Sequence, residues 1–328
     1  MPLIPAGLWW ERFVRSDRVV AASGTVRTDA ATPDGDSGTQ IDCLLTFCSF
    51  LLRCMISTLL PGLLLLGWLP GPPTPAAAPR YTFTKLAWSD EFNYAGLPDS
   101  TKWTYDVGGS GWGNKEEQYY TKKRPENARV EGGNLIIEAR KEALVAGNGY
   151  TSARLVSRGK GGSQLYGRFE IRAKIPGGRG TWPAIWMLPD QNLYGNKGWP
   201  DNGEIDIMEH VGYDPNVIHA TTHCKAYYFR INTQKTGITK LPDATTAFHV
   251  YSVEWTPETI SAQIDGQLYF AHRNEGTGWE TWPWNQPFHL LLNIAVGGEW
   301  GGQKGIDEAA FPQQMLVDYV RFYQLHKS

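Results

Sequence analysis

The sequence predicts an all-β protein whose single domain occupies residues 79–328, and three observations support this. Short alternating runs of apolar and polar residues, separated by turn residues, recur from Tyr81 onward. Asp265-Gly266 is the strongest short signal for a two-residue hairpin turn. No stretch of the same region has a convincing helical period. Many short strands without a linker or a repeat favour one β-sandwich.

Five segments show the two-residue period of strands most clearly. The segment 248–256 shows this period clearly. On a strand, one face carries His249, Tyr251 and Val253, and the other face carries Val250, Ser252 and Glu254. The segment around Asp265-Gly266 divides into two such runs and predicts a hairpin. The five segments are 134–140, 166–175, 248–256, 260–272 and 316–325.

The segment 55–78 resembles a secretory signal peptide. Its apolar centre ends at Leu69 and is too short to span a bilayer, and a Pro/Gly break and three alanines ending at Ala78 follow. We expect cleavage near Ala78 and a secreted protein, extracellular or periplasmic. The alternative is a membrane anchor over 41–69, so that an uncleaved N-terminal segment alone would contact a membrane.

Residues 1–54 form an unassigned N-terminal extension with no sustained period. We expect translation to begin at or near Met55, so these residues are interpreted as a misassigned start. Nothing in this extension contributes to the prediction of the fold.

Charge and cysteine content exclude several classes of protein. The chain has 31 basic and 33 acidic residues and a net charge of −2, so it has no electrostatic footprint for nucleic acid. No CxxC pair occurs, which argues against a structural zinc site or a disulfide framework. We expect Cys224 to be a free, buried thiol rather than a nucleophile. We also expect a monomer.

Three carboxylates stand in "GEIDIMEH", which runs from Gly203 to His210. Glu204 and Asp206 share a face of a β-strand, but a regular strand sends Glu209 to the opposite face. If Met208 is the extra residue of a β-bulge, Glu209 returns to the face of the other two acids. Like charges on one face raise one another's pKa, so such a row is costly without a purpose.

The row suggests the chemistry of a retaining glycosidase. These enzymes use two carboxyl groups about 5–5.5 Å apart, one as nucleophile and one as acid/base. Asp206, between the other two acids, would share a proton with its neighbours and separate their pKa values. Two alternatives stay open at this point. The strand is an ordinary amphipathic strand, or Glu, Asp and His210 bind a divalent metal.

Tryptophans near these acids favour a carbohydrate cleft. Trp182 and Trp186 share one face of a predicted strand, Trp199 precedes Glu204 by five residues, and Trp300 stands in "GGEWGG". Aromatic rings cover the apolar C–H faces of sugar rings well. Three more tryptophans crowd one loop, namely Trp279, Trp282 and Trp284.

Three segments together carry a family resemblance: "NGEIDIMEHVG", "YGRFEIRAKIPGGRGTWPAIWMLP" and "PFHLLLNIAVGGEWGG". The chain from Trp88 to Tyr323 is similar to glycoside hydrolase family 16, and within it to the bacterial laminarinase-type β-glucanases. The resemblance implies a concanavalin-like β-jelly roll with a substrate cleft over its concave sheet. It also implies endo-hydrolysis of internal β-1,3-glucosidic bonds with retention, without a catalytic cofactor.

The resemblance assigns roles to the three acids: Glu204 is the nucleophile, Glu209 the acid/base, and Asp206 assists the nucleophile. The lichenase-type members have a shorter ExDxE spacing, so the extra residue points to the laminarinase branch. Members of that branch can also cut mixed β-1,3-1,4-glucans. Specificity for agarose, carrageenan or xyloglucan, or a non-catalytic glucan-binding lectin, stays an alternative.

The resemblance implies further site residues. The positions that match the family's substrate cleft are Asn127, Arg158, Trp182, Trp186, Trp199 and His223. On a helix, the spacing of His219 and His223 would suggest a metal pair. Their β-branched neighbours indicate a strand, so substrate contact or packing is expected for His223. The family often holds a structural calcium ion, and the matching positions are Glu91, Gly133 and Asp318, some through backbone carbonyls.

Overall fold

The computed structural model describes residues 80–327, which fold into two packed β-sheets. Apart from the parallel pair β3–β6, the strands pair antiparallel. The strands are β1 (Tyr81–Asp90), β2 (Thr104–Asp106), β3 (Gln118–Tyr120), β4 (Ala128–Glu131), β5 (Asn134–Lys141), β6 (Tyr150–Ser152), β7 (Arg154–Val156), β8 (Ser163–Gln164), β9 (Gly167–Lys174), β10 (Thr181–Pro189), β11 (Glu204–Glu209), β12 (Val217–His223), β13 (Lys235–Lys240), β14 (His249–Trp255), β15 (Thr259–Ile264), β16 (Gln267–Arg273), β17 (Phe288–Val296) and β18 (Gln313–Lys327).

The order of strands in the first sheet is β16-β15-β14-β9-β18-β5-β6-β3, with β1 on β18 and β4 on β5. The second sheet has the order β13-β12-β11-β10-β17-β7-β2, with β8 on β17. Strands adjacent in space are often distant in sequence, as in jelly-roll sandwiches. The acids of β11 lie in the second sheet, two strands from its β13 edge.

The core lies between the sheets and is built from the inward residues of both. In β9, Phe169 and Ile171 are fully buried and alternate with partly exposed charged residues. In β11, Ile205 and Ile207 contribute from the second sheet. Strand β17 is buried along its whole length, which suits a central strand covered on both faces. Burial of these apolar side chains is the main force that holds the two sheets together.

The strand predictions are confirmed, and helix is nearly absent from residues 80–327. Each of the five predicted segments contains an observed strand, and 260–272 is the hairpin β15–β16. Its turn residues Asp265 and Gly266 have φ of 50° and 78°, the left-handed pair of a type I′ turn. The described residues include two short 3₁₀ helices, at Phe229–Ile231 and Glu308–Ala310. None of the described helices is long and apolar enough to cross a membrane.

The extension 1–54 and the signal-peptide prediction for 55–78 lie outside the described residues, and both stay predictions. Cys224, by contrast, is described and is a free, buried cysteine as expected. Burial raises the pKa of its thiol to about 11, so the thiolate needed for nucleophilic attack is disfavoured at neutral pH.

A β-bulge interrupts β11, as predicted from the spacing of the acids. On β10, the consecutive residues Ile185 and Trp186 pair with Met208 and Asp206, so that Ile207 has no partner on that strand. The sequence prediction placed the extra residue at Met208. In the structure Met208 keeps a partner on β10 and Ile207 is the unpaired residue.

Both bulge residues turn their side chains into the core. Ile207 and Met208 are adjacent in sequence and are fully buried. On a regular strand, adjacent side chains point to opposite faces, so one of the two would be on the outer face. The bulge absorbs this extra inward residue and returns Glu209 to the face of Asp206.

Candidate active site

The three acids form one row on the outer face of the second sheet. Glu204, Asp206 and Glu209 lie opposite every second residue of β12, which all share that face. The bulge therefore gives effective positions i, i+2 and i+4, as the sequence predicted. Their partners on β12, in order, are His223, Thr221 and His219.

Two tryptophans of β10 flank this row on its other side. Trp186 lies opposite Asp206, and Ala184, between Trp186 and Trp182, lies opposite Glu209. The small side chain of Ala184 leaves room beside Glu209. Trp182 and Trp186 are both partly exposed, so their rings are available to a sugar.

Glu204 has two hydrogen-bond donors. The indole N–H of Trp199 donates to its Oε2 at 3.0 Å. The carboxyl of Asp206 shares a hydrogen bond with Glu204 that lowers the pKa of Glu204 and raises the pKa of Asp206, so Asp206 is the donor. Both donors favour the ionised form of Glu204.

Glu209 has a different environment. The indole N–H of Trp182 donates to its Oε1 at 2.9 Å. Trp182 itself packs edge-on against Trp300, with ring centres 5.3 Å apart, and Trp300 packs against His219 in the same way. The row of aromatic rings therefore holds the donor to Glu209 in place.

Burial and nearby negative charge raise the pKa of all three acids. Burial is the largest cause for each, and it raises the pKa of Glu209 to about 7. The pKa of Glu204 rises to about 8 because the charge of Glu209 adds to burial. The pKa of Asp206 rises well above its ordinary value, because the charges of Glu204 and Glu209 add to burial. The three acids therefore titrate as one coupled group that retains protons near neutral pH.

His223 lies against the first two acids. Its Nε2 is 3.5 Å from Oδ2 of Asp206 and 4.0 Å from Oε1 of Glu204. Burial lowers the pKa of His223 to about 4, so the imidazole is neutral at neutral pH. The rings of Trp199 and Phe229 pack against it. The prediction that His219 and His223 lie on a strand is confirmed.

Arg154 of β7 is a site residue that the sequence analysis missed. Its guanidinium lies 4.8 Å from the ring centre of Trp112 and 4.6 Å from that of Trp186. Its Nε is 3.0 Å from Oδ2 of Asp106 on β2. Arg154 thereby fixes Trp186 and lends positive charge to the acid row, where it lowers the pKa of Glu204. β7 is only three residues long, so its sequence shows no period that marks Arg154.

The sequence also gave no prediction of a series of hydrogen bonds that connects Trp186 to a fourth acid. The indole N–H of Trp186 donates to Asn293 Oδ1 at 2.7 Å, and Asn293 Nδ2 donates to the hydroxyl of Tyr120 at 2.9 Å. Tyr120 shares a hydrogen bond with Glu116, a fourth acid whose pKa burial raises. The charge of Glu116 in turn raises the pKa of Glu209. The sequence signal was Asn293, a polar residue within the apolar run of β17.

Two predicted substrate residues lie apart from this row. Asn127 is fully buried, and its side chain bonds to Thr121, Arg124, Thr151 and the backbone of Glu138. With no surface and with its polar atoms occupied, Asn127 is a structural residue, and the prediction of a substrate contact is wrong for this structure. Arg158 is exposed in the turn after β7 and touches none of the three acids, so its role stays a prediction.

Three further expectations need correction. His210 is fully buried and its Nδ1 bonds to the backbone of Val217, so it does not join the acids as a metal ligand. Trp282 and Trp284 are core residues rather than cleft residues. The neighbouring Trp279 does reach the surface, where it stacks on Tyr194 with ring centres 5.7 Å apart.

The side chains predicted for a calcium ion are already paired. Both oxygens of Glu91 accept hydrogen bonds from Arg321, and Asp318 accepts one from Arg172 at 2.6 Å. Gly133 lies in the β4–β5 turn, and the β5–β18 register carries that turn toward Asp318. The Glu91 side chain does not fit as a ligand, so a ligand from this residue would be its backbone carbonyl. The calcium ion stays a prediction.

Comparison with known proteins gives consistent matches. The sequence profile described as Glycosyl hydrolases family 16 matches residues 115–321. A β-glucanase from Rhodothermus marinus is 62% identical over 245 residues, covering 73% of this chain and 85% of that protein. The X-ray structure of the laminarinase from Rhodothermus marinus has 60% identity and a TM-score of 0.73, covering 76% of this chain and 99% of that one. A non-specific endo-β-1,3(4)-glucanase structure has 48% identity and a TM-score of 0.69, covering 75% and 96%.

Proposed function

Because this chain belongs to glycosyl hydrolases family 16, we propose that it is an endo-acting β-glucanase that cleaves internal β-1,3-glucosidic bonds of laminarin-type glucans with retention. The observation that carries the proposal is the bulge at Ile207 and Met208. It places Glu204, Asp206 and Glu209 on one face, between tryptophans that suit sugar rings. The resemblance to laminarinases and to a β-1,3(4)-glucanase supports the substrate class.

In this mechanism Glu204 attacks the anomeric carbon and forms a glycosyl-enzyme ester. Glu204 must be ionised to do so, although burial and the charge of Glu209 raise its pKa to about 8. The donors Trp199 and Asp206 are what stabilise its ionised form. The proton on Asp206 also removes one negative charge from beside the developing bond.

Glu209 acts as acid and then as base. In the first step it gives its proton to the glycosidic oxygen of the departing chain, which leaves as an alcohol. In the second step it takes a proton from water, which attacks the anomeric carbon, breaks its bond to Glu204 and releases the sugar with its original configuration. A pKa of about 7 suits both directions of proton transfer near neutral pH.

The first test is the substitution Glu204→Gln, assayed by release of reducing ends from laminarin. We expect activity to fall by at least about 10³-fold with the fold intact, because the amide keeps the shape and loses the nucleophile. Glu131→Gln, on the exposed end of β4, is the matched control and should retain full activity. Undiminished hydrolysis by the Glu204 variant would overturn the mechanism.

Azide rescue separates the roles of the two glutamates. In Glu209→Ala, azide replaces water on the ester and should give a β-glycosyl azide, with activity restored. In Glu204→Ala, azide enters on the opposite face and should give an α-glycosyl azide from an activated substrate. The reverse assignment of products would show that the roles of the two acids are exchanged.

We also propose that the enzyme cleaves mixed β-1,3-1,4-glucan as a second substrate. The similarity to the non-specific endo-β-1,3(4)-glucanase supports this. Products from laminarin, curdlan, mixed-linkage glucan and agarose should be compared at equal enzyme concentration. We expect oligosaccharides from the three glucans and none from agarose, and a product only from agarose would contradict the proposal.

For localisation, we propose export by the signal peptide 55–78. The apolar run ending at Leu69 and the alanines ending at Ala78 support this. Expression of the full chain in a bacterial host, followed by N-terminal sequencing of the exported protein, tests it. We expect a mature chain that begins within a few residues of Pro79, whereas an uncleaved, membrane-bound chain would favour the anchor.

A further inference from the structure

Three side-chain atoms in the acid row converge as the ligands of a metal site do. Glu204, Asp206 and His223 each offer one ligand atom, and the three atoms lie within 4.8 Å of one another. Nε2 of His223 faces Oε1 of Glu204 and Oδ2 of Asp206. In residues 80–327 no other group of three His, Cys, Asp or Glu side chains is this close. The proposed mechanism uses Glu204 and Asp206, whereas His223 takes part in none of its steps.

Two buried polar atoms of this cluster lack hydrogen-bond partners. Asp206 is 3% exposed and His223 is 7% exposed. Oδ2 of Asp206 and Nδ1 of His223 have no hydrogen-bond partner among the described residues. Trp199 binds Oε2 of Glu204 and leaves Oε1 turned toward His223. Burying a polar atom without a hydrogen-bond partner costs free energy of folding. A cation bound by the cluster would supply the missing partner.

The distances suit a small transition-metal ion. A tetrahedral zinc ion with bonds of about 2.0–2.2 Å separates its ligand atoms by roughly 3.4 Å. Nε2 of His223 is 3.5 Å from Oδ2 of Asp206 and 4.0 Å from Oε1 of Glu204, and the three ligand atoms of the cluster lie within 4.8 Å of one another, so a modest movement of the side chains brings them to these separations. One nitrogen and two carboxylate oxygens favour zinc over calcium, which prefers six to eight oxygen ligands.

We propose that Glu204, Asp206 and His223 bind one Zn²⁺ ion, which excludes the glucan by occupying the nucleophile. The ion displaces the proton that Asp206 shares with Glu204 into solvent. The two carboxylates and the neutral imidazole leave the fourth position open toward the cleft, as Glu204 keeps 15% of its side chain exposed. Because Nδ1 of His223 lacks an acceptor behind it, we expect micromolar rather than nanomolar affinity. The binding itself does not depend on the proposed function, while the competitive inhibition does.

Equilibrium dialysis of the full chain against ZnCl₂ in a non-chelating buffer tests the binding. We expect one Zn²⁺ per chain whose affinity falls at least tenfold in Glu204→Gln and in His223→Gln, about the loss that follows damage to a metal site. His219→Gln is the matched control, because His219 lies on the same strand face opposite Glu209, and its variant should bind as the parent does. Near-ultraviolet circular dichroism checks that each variant is folded.

Cobalt distinguishes this site from the cysteines Cys43, Cys48 and Cys54 of the N-terminal extension. Co²⁺ bound by one histidine and two carboxylates gives visible d–d bands without a thiolate charge-transfer band. A thiolate band, or zinc binding that is unchanged in both Glu204→Gln and His223→Gln, would overturn the proposal. So would Zn²⁺ binding that laminarin oligosaccharides leave unaffected.

Inhibition is then measured on laminarin. We expect Zn²⁺ to raise KM without lowering kcat, because the ion and the glucan compete for the same oxygens. A fall in kcat at constant KM would contradict the exclusion of the glucan even if the zinc binding is confirmed. Absence of any laminarin hydrolysis would refute the proposed function while leaving the dialysis result valid.

Discussion

The indole N–H of Trp182 donates a 2.9 Å hydrogen bond to Oε1 of Glu209. This donor stabilises the carboxylate and so lowers the pKa of Glu209 from the value that burial alone would give. Trp182→Phe keeps an aromatic ring and removes the donor, so the pKa of Glu209 should rise. The acid form then persists to higher pH, and the falling limb of kcat/KM should move up by about one pH unit.

The control for this substitution is Trp300→Phe. Trp300 packs on Trp182, but its indole N–H is not a donor to the carboxylates of the row. We expect its pH profile to keep the basic limb of the parent enzyme. An equal shift in both variants, or no shift in Trp182→Phe, would show that the hydrogen bond does not set this limb.

The corresponding donor to Glu204 acts on the other limb. Trp199→Phe removes the N–H that stabilises ionised Glu204, so more alkaline conditions are needed to form the nucleophile. We expect the rising limb of kcat/KM to move up in pH and kcat/KM at pH 6 to fall about tenfold, as for a lost bond to a charged group. Trp279→Phe serves as control, since Trp279 stacks on Tyr194 and not on an acid.

The raised pKa of Glu204 carries a cost in stability that depends on pH. Its folded-state pKa of about 8 exceeds the usual 4.5, so the folded state holds this proton more tightly than the unfolded state. The cost is absent below pH 4.5, grows as the pH rises, and is complete above pH 8. Glu204→Gln has no such cost.

We therefore expect equal Tm values for the parent and Glu204→Gln at pH 4, and a Tm higher by about 4 °C in the variant at pH 8. Differential scanning calorimetry at several pH values measures this. Glu131→Gln on the protein surface should show no growing difference. A difference in Tm between the parent and Glu204→Gln that stays constant across the pH range would show that burial does not raise the pKa of Glu204.

The bulge leads to a prediction for the free energy of unfolding of variants at its two adjacent residues. Because both Ile207 and Met208 are fully buried, Ile207→Ala and Met208→Ala should each lower the free energy of unfolding by about 2–5 kcal/mol. A regular strand would place one of them outside, and its substitution would then cost little. Ile238→Ala, at a site that is 62% exposed, is the control in urea denaturation and should cost less than about 0.5 kcal/mol.

Local sequence was sufficient to predict the strands and the acid row. The alternation around Tyr251 and the Asp265-Gly266 turn depend on the two-residue period and on φ values that neighbouring residues determine. Glu204, Asp206 and Glu209 were predicted to share a face because their spacing has one simple solution, a bulge. The structure differs from this prediction in one detail: the unpaired residue of the bulge is Ile207 rather than Met208.

Local sequence patterns could not predict the roles of residues whose contacts are distant in the sequence. Arg154 is in the site only because β7 pairs with β17, which brings it beside Trp186. Glu116 reaches the site through Tyr120 and Asn293, which lie far apart in the chain. Asn127 shows the converse, since its position in the sequence suggested a cleft residue and its tertiary contacts bury it.

By itself, the sequence determined the class of fold, the strand that bears the acids, and the chemistry that two glutamates and an aspartate among tryptophans can perform. The tertiary structure alone decided which tryptophan donates to which acid, which histidine lies beside them, and how far burial raises each pKa. The physical reason is that periodicity and turn geometry act within a few residues. Desolvation and hydrogen bonding across the sheet depend on which strands the whole chain brings together.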